Sequence, residues 1–195
     1  MKAKFLAAAL LAAALAACGG KANFTVGGTV SGLANSGLKL QVNGGETVEV
    51  PAGATSFSFP SGISYGTEYQ VEIVQHPAHM TCAFLGTTNV GSAGHTTTIN
   101  IQLTCSQNSW VVSGTVEGLT TGDLVLVNGS AIGSFTVPKG STNFTLPTKI
   151  PVGTAYGITV LTQPTGLKCE ISNGSGVMGD EDRNNVRVVC STATP

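Results

Sequence analysis

Five cysteines are the residues of this chain with the widest range of chemistry: Cys18, Cys82, Cys105, Cys169 and Cys190. A thiol can be modified covalently, exchange with a disulfide or form a permanent cross-link. No two of the five have the Cys-x-x-Cys spacing of a dithiol redox pair. The absence of this spacing favours structural disulfides over a redox site. Any four of these cysteines can still form two disulfides in three different connectivities.

The other reactive side chains form no recognisable catalytic set. Asp180, Glu181 and Asp182 are adjacent acids that could contribute oxygen ligands to calcium. Adjacent residues of a strand point in opposite directions, and no glycine-spaced aspartate pattern accompanies them. A solvated, charged turn is therefore the favoured interpretation. Gly62–Gly66 (GISYG) has the Gly-x-Ser-x-Gly pattern, but no P-loop occurs, and nothing in the sequence gathers a nucleophile, a base and an orienting group. We therefore predict neither catalytic residues nor a cofactor.

The residues before Cys18 have the parts of a secretory signal. Lys2 and Lys4 give a positive start, and an apolar run of twelve residues follows from Phe5 to Ala16. A membrane-spanning helix needs roughly 20 apolar residues, so this run is too short. The segment Leu15–Cys18 resembles the lipobox of bacterial lipoprotein precursors. The alternative is an ordinary signal peptide that happens to contain a cysteine.

The lipobox resemblance implies a membrane anchor. Residues 1–17 would be removed, Cys18 would carry a thioether-linked diacylglycerol, and residues 18–21 would form the lipidated N-terminus and linker. Two or more acyl chains hold a protein stably on a membrane. Glycine rather than aspartate at position 19 resembles an outer-membrane sorting signal. We therefore expect a cell-envelope protein that is lipid-anchored at the bacterial outer membrane.

Export and charge narrow the remaining possibilities. An exported chain enters an oxidising compartment, so the four cysteines after Cys18 are expected to form two disulfides. Without Lys2 and Lys4 the chain has seven basic and ten acidic residues, a formal net charge of −3. No basic patch is present, which argues against nucleic acid as a partner.

The chain after the signal is a tandem repeat. The segment Phe24–Leu33 (FTVGGTVSGL) recurs 86 residues later as Trp110–Leu119 (WVVSGTVEGL). Self-similarity of this length indicates two copies of one folding unit. We place the copies at 22–106 and 108–192, with the polar segment Ser106–Ser109 as their linker.

The repeat also selects a disulfide connectivity. Cys82 recurs as Cys169, and Cys105 recurs as Cys190. Each copy thus has its own cysteine pair, which predicts the bonds Cys82–Cys105 and Cys169–Cys190. A β-hairpin between the paired cysteines would have its turn near Gly91–Gly94 in the first copy, and near Gly179–Asp180 in the second.

Three histidines are candidate metal ligands. His76 and His79 flank Pro77 near the base of the predicted hairpin, whereas His95 lies at its turn. Three imidazoles could bind zinc only if the fold brought these ends together. The second copy has Gln163 and Leu167 at the places of His76 and His79. We therefore predict exposed loop histidines and no metal site.

Period-2 alternation of apolar residues predicts about seven short strands in each copy. In the first strand, Phe24, Val26, Gly28 and Val30 share one face, and Trp110 begins the matching inward face in the second copy. The further strands are predicted at 38–42, 47–50, 56–59, 68–75, 82–85 and 97–105, and at 124–127, 134–137, 143–146, 155–162, 169–171 and 185–190. Two tandem β-sandwiches are the predicted fold.

The order of these features resembles a known layout. Gly-Thr-Val-x-Gly-Leu, a short apolar strand, Phe-x-Phe or Phe-x-Leu, and Gly-x-x-Tyr are similar to bacterial immunoglobulin-like and transthyretin-like (prealbumin-like) modules, including carboxypeptidase-regulatory-like and Cna-B-like domains. The cysteine pairs depart from those families and resemble repeats of bacterial surface lipoproteins. The resemblance implies an all-β, immunoglobulin-like sandwich for both copies.

These observations favour a non-enzymatic envelope protein with a structural or adhesive role. Its expected partners are the membrane, through the lipid on Cys18, and another envelope protein or a surface polymer. The alternative is a carbohydrate or small-ligand binding module. Sugars often stack on exposed aromatic rings, and Trp110, the one tryptophan, falls on the predicted core face.

Overall fold

The computed structural model describes residues 22–94, 99–129 and 133–193. The chain divides into two compact units between Ser106 and Gln107. All the regular structure of the described residues is β-strand. The fold is all-β, as the alternation predicts.

Unit 1 is a sandwich of two four-stranded sheets, with strand orders β4-β1-β8-β6 and β3-β2-β5-β7. Its strands are β1 (Asn23–Ser31), β2 (Leu38–Val42), β3 (Thr47–Val50), β4 (Ser56–Ser64), β5 (Glu68–Gln75), β6 (Met80–Phe84), β7 (Val90–Ser92) and β8 (Ile101–Gln107). Strand β1 runs antiparallel to β4 and parallel to β8.

Unit 2 repeats this arrangement, with orders β13-β10-β18-β16 and β12-β11-β15-β17. Its strands are β9 (Ser109–Trp110), β10 (Val112–Glu117), β11 (Leu124–Asn128), β12 (Ser134–Val137), β13 (Asn143–Thr145), β14 (Ile150–Pro151), β15 (Ala155–Thr162), β16 (Leu167–Ser172), β17 (Ser175–Val177) and β18 (Arg183–Thr192). The two-stranded ribbon β14-β9 of unit 2 corresponds to the pairing of β4 with the start of β1 in unit 1.

Each unit has its own core between its two sheets. In β2, the inward residues Leu38, Leu40 and Val42 are buried, and Lys39 between them is exposed. The matching strand β11 buries Leu124 and Leu126 in the second core. Alternation thus places one face of each strand in the core and leaves the other outside.

The repeated Gly-Thr-Val-x-Gly-Leu motif fits the first strand of each unit against the last. An alanine Cβ at Gly28 would overlap the carbonyl of Ile101 in β8, and one at Gly114 would overlap the carbonyl of Val186 in β18. The second glycine of the motif, Gly32 in unit 1, has a φ of 74°. This left-handed conformation suits glycine because it has no Cβ.

Two expectations about the organisation differ from the structure. Among the described residues, unit 1 contains an eighth strand, β7, beyond the seven predicted; unit 2 contains ten, because β14 and β17 are additional and the first predicted strand is divided into β9 and β10. The expected linker Ser106–Ser109 is strand except at Asn108. Asn108 is itself held, because its carbonyl accepts a hydrogen bond of 2.9 Å from the N–H of Val152.

Candidate functional site

The last strand of each unit is cross-linked to its outer neighbour. Cys82 of β6 is bonded to Cys105 of β8, and Cys169 of β16 to Cys190 of β18, with Cα–Cα distances of 4.0 and 3.9 Å. Cys169 and Cys190 are direct partners in the antiparallel ladder. All four half-cystines are buried. Burial keeps reductants and thiols away from the bonds, which fits a structural role.

The segment between the paired cysteines is not the simple hairpin that its length suggests. After β6 the chain crosses to the other sheet, where β7 pairs with β5, and then returns as β8. The same crossing through β17 occurs in unit 2. The predicted hairpin turns near Gly91–Gly94 and Gly179–Asp180 are therefore wrong, because both places belong to this crossing.

His76 helps to hold the cysteine strand. Its Nδ1 accepts a hydrogen bond of 3.1 Å from the backbone N–H of Cys82. In unit 2, Oε1 of Gln163 accepts from the N–H of Cys169 at 2.8 Å, and its Nε2 donates to the carbonyl of the same residue at 3.0 Å. The His76 imidazole and the Gln163 amide thus accept the same backbone hydrogen bond, that of the first cysteine, in the two units. Within the described residues, no three His, Cys, Asp or Glu side chains are arranged to hold a metal ion.

The acidic loop before β18 also has a local structural role. Asp182 Oδ1 accepts a hydrogen bond of 2.7 Å from the N–H of Val111, and the N–H of Arg183 donates to the Val111 carbonyl at 2.8 Å. Glu181 lies 3.6 Å from the Arg183 guanidinium. Asp182 therefore fastens the break between β9 and β10 to the start of β18.

Both units have a ladder between their first long strand and their last strand. We call it the terminal-strand ladder: it joins residues 28–31 of β1 to 101–104 of β8, and residues 112–117 of β10 to 183–189 of β18. Both ladders are parallel. The chain therefore enters each unit at one end and leaves it at the opposite end.

The terminal-strand ladder lies inside a sheet, not at its edge. In unit 1, β1 has β4 on its other side and β8 has β6; in unit 2, β13 and β16 flank the pair. Across the ladder of unit 2, the Arg187 guanidinium contacts the Glu117 carboxylate at 2.9 Å. Both side chains are 55% exposed, and solvent screening leaves such a pair little net stabilising energy.

Two aromatic residues, Trp110 and Tyr65, differ in whether they could stack on a sugar. Trp110 is half-buried against the core of unit 2, on the face that the alternation predicts. Tyr65 is 72% exposed, with its ring centroid 6.5 Å from that of Phe24. Tyr65 was not predicted as an exposed aromatic residue. The available signal was its position directly before a glycine, Gly66, between two alternating segments; the structure places Gly66 in a turn with a φ of 77°.

A shallow depression of about 660 Å³ lies beside the start of β1. It is lined by Ala22, by residues of β1 between Asn23 and Thr29, and by Ile99 and Asn100. Its described lining contains no ionisable side chain. The described lining therefore offers no acid or base for catalysis.

Lys168 and Glu170 form an ion pair of 2.9 Å on strand β16. A side-chain hydrogen bond from Lys168 lowers the pKa of Glu170, and the same bond raises the pKa of Lys168. The pair lies on the outside of the unit and is open to salt screening. It therefore has the character of an ordinary surface pair.

Several predictions fall outside the part of the chain that is described. These are the signal peptide at 1–17, the lipidated N-terminus and linker at 18–21 with the lipidation site Cys18, and the histidine His95. Within the described residues, no helix has the length and apolar character needed to cross a bilayer.

Comparison with known proteins gives a fold but no family. No family model matches the chain. No curated protein matches it in sequence. Among solved structures, the Bacillus anthracis TIE protein is similar over 85% of this chain and 34% of its own length, with a TM-score of 0.52 and 14% identity. The chain thus spans about a third of that protein, and the likeness shows the β-sandwich fold alone.

Two pilins give weaker matches. The shaft pilin spaA of Lactobacillus rhamnosus GG is 11% identical, over 90% of this chain and all of that one, with a TM-score of 0.30. A major pilin of Streptococcus pyogenes is 10% identical, over 90% and 100%, with a TM-score of 0.29. Scores this low carry no argument about this chain.

Proposed function

We propose that this chain is a non-enzymatic structural protein of the cell envelope, anchored by lipid on Cys18 at the outer membrane. Each unit serves as a spacer between that anchor and a second envelope protein or a surface polymer. The parallel terminal-strand ladder is the observation that carries this proposal. A unit that the chain enters at one end and leaves at the other separates whatever is attached to its two ends.

The side chains whose types could take part in catalysis or metal binding support a structural role instead. His76 accepts a backbone hydrogen bond, Asp182 fastens a strand break, and the four cysteines after Cys18 form cross-links. Each of these groups therefore has a structural task already. An active site would need several of them to converge on one cavity.

Cys18→Ser is expected to abolish labelling of the protein by radioactive palmitate and to leave residues 1–17 attached. The hydroxyl of serine cannot form the thioether to diacylglycerol. The measurement is labelling and gel mobility in a bacterium that processes lipoproteins. Cys82→Ala with Cys105→Ala is the matched control, because it removes two other cysteines and should still be labelled. Normal labelling of Cys18→Ser would refute the anchor.

The exposed ring of Tyr65 favours one second candidate, a site for a carbohydrate. If it binds sugars, retention of the protein on immobilised cell-wall and surface polysaccharides should be lost with Tyr65→Ala and kept with Tyr65→Phe, since stacking needs the ring. The side chain is 72% exposed, so neither change should disturb folding. Failure of the unaltered protein to be retained would remove this candidate.

A further inference from the structure

The terminal-strand ladder has a particular mechanical property. Tension applied to the two ends of a unit pulls β1 and β8 in opposite directions along their own length, because the strands are parallel and the chain leaves from opposite ends. Ladder hydrogen bonds run across the strands, so this tension loads them together. Strands pulled apart from one shared end would instead lose their bonds one after another.

Both strands are also held on their outer sides. Extracting β1 along its axis requires it to slide past β4 as well as β8, since β1 lies between them. On the other side, β8 cannot slide past β6 because Cys82–Cys105 joins the two covalently. Unit 2 has the same arrangement, with β10 between β13 and β18 and with Cys169–Cys190 joining β18 to β16.

We propose that each terminal-strand ladder is a shear clamp that bears tension along the chain, and that each disulfide limits the extension of a unit whose clamp has given way. The source of tension rests on the proposed function: a lipid at Cys18 and a partner attached beyond unit 2. The clamp itself follows from strand direction and cross-linking in each unit separately.

The disulfides set how much chain a ruptured unit can release. The linked cysteines are separated by 23 residues in unit 1 and by 21 in unit 2. The loop between them stays closed after rupture, and a chain extends by at most ~3.5 Å per residue. After subtraction of the 4.0 and 3.9 Å between the linked Cα atoms, the bridges therefore withhold about 75 Å and about 70 Å of extension.

Single-molecule pulling tests the clamp directly. The chain without residues 1–17 is attached through Cys18, whose thiol is outside both disulfides, and is pulled from its C-terminus. We expect two rupture events at high force. Cys82→Ala with Cys105→Ala should lengthen one event by about 75 Å, and reduction of the unaltered chain should lengthen both. Events that keep their length after reduction would overturn the proposed limit on extension.

The direction of pulling provides the matched control. Asn23 and Ser64 are partners at one end of the antiparallel β1–β4 pair. With handles at Cys18 and at Ser64→Cys, tension opens that pair from its end, and the rupture force should fall several-fold. Equal forces in the two directions would overturn the clamp. No lipid is involved, so this result is independent of the palmitate labelling that tests the anchor.

Discussion

Gly114→Ala is expected to lower the free energy of unfolding of unit 2 by about 3 kcal/mol, the upper range for inserting a methyl group into a packed site. The new Cβ would overlap the carbonyl oxygen of Val186 and lie 2.8 Å from Cε1 of the Phe144 ring. The carbonyl belongs to the paired strand β18, so it cannot retreat without disturbing the ladder. Phe144 is buried and has little room to move.

Trp110 gives this prediction a specific readout. It is the one tryptophan of the chain and packs against the core of unit 2, so its emission in a urea titration reports on that unit. Gly157→Ala is the matched control: no atom lies within 4 Å of its Cβ position, and it should be neutral or slightly stabilising. Gly28→Ala should unfold unit 1 more readily and leave the Trp110 transition in place. An unchanged midpoint for Gly114→Ala would contradict the close approach.

Cys169→Ala with Cys190→Ala is expected to cost unit 2 roughly 3 kcal/mol, because the unfolded chain regains the freedom of the closed loop. In a unit of this size, that loss corresponds to a fall in Tm of about 15 °C. Thermal unfolding followed at Trp110 measures it. The pair Cys82→Ala and Cys105→Ala is the control, since it should destabilise unit 1 and spare the Trp110 transition. A bond between cysteines of different units in a non-reducing peptide map would contradict the pairing.

The strands that could be predicted closely are those whose alternation is continuous. Strands β5 and β15 have the bounds that the sequence predicts, Glu68–Gln75 and Ala155–Thr162. Their inward residues, such as Val71 and Ile158, enter the cores, so burial itself produces the period. The pairing of cysteines was accessible for another reason, because a duplicated unit repeats its cross-link.

The strands that were not predicted form because they pair with a strand that is distant in sequence. Strand β7 has three residues, Val90–Ser92, which are too few to show a period. Gly91 is the ladder partner of Tyr69, and the tyrosine ring lies over the space that a side chain at Gly91 would fill. Gly176 and Tyr156 repeat this contact in unit 2. Only the assembled sheet reveals such a pair, and the hairpin prediction was wrong because it lacked this strand.

The parallel pairing of first and last strands also governs the order in which a unit can be completed. Gly28 has no ladder partner in β8 until Ile101 is available, so a chain delivered from its N-terminus leaves unit 1 open until its final strand arrives. Contacts so distant in sequence make folding slow, because a long loop must close before they form. A chain that cannot close early stays unfolded during passage through a narrow secretion channel. If the chain is exported as we propose, the same topology would keep each unit competent for translocation.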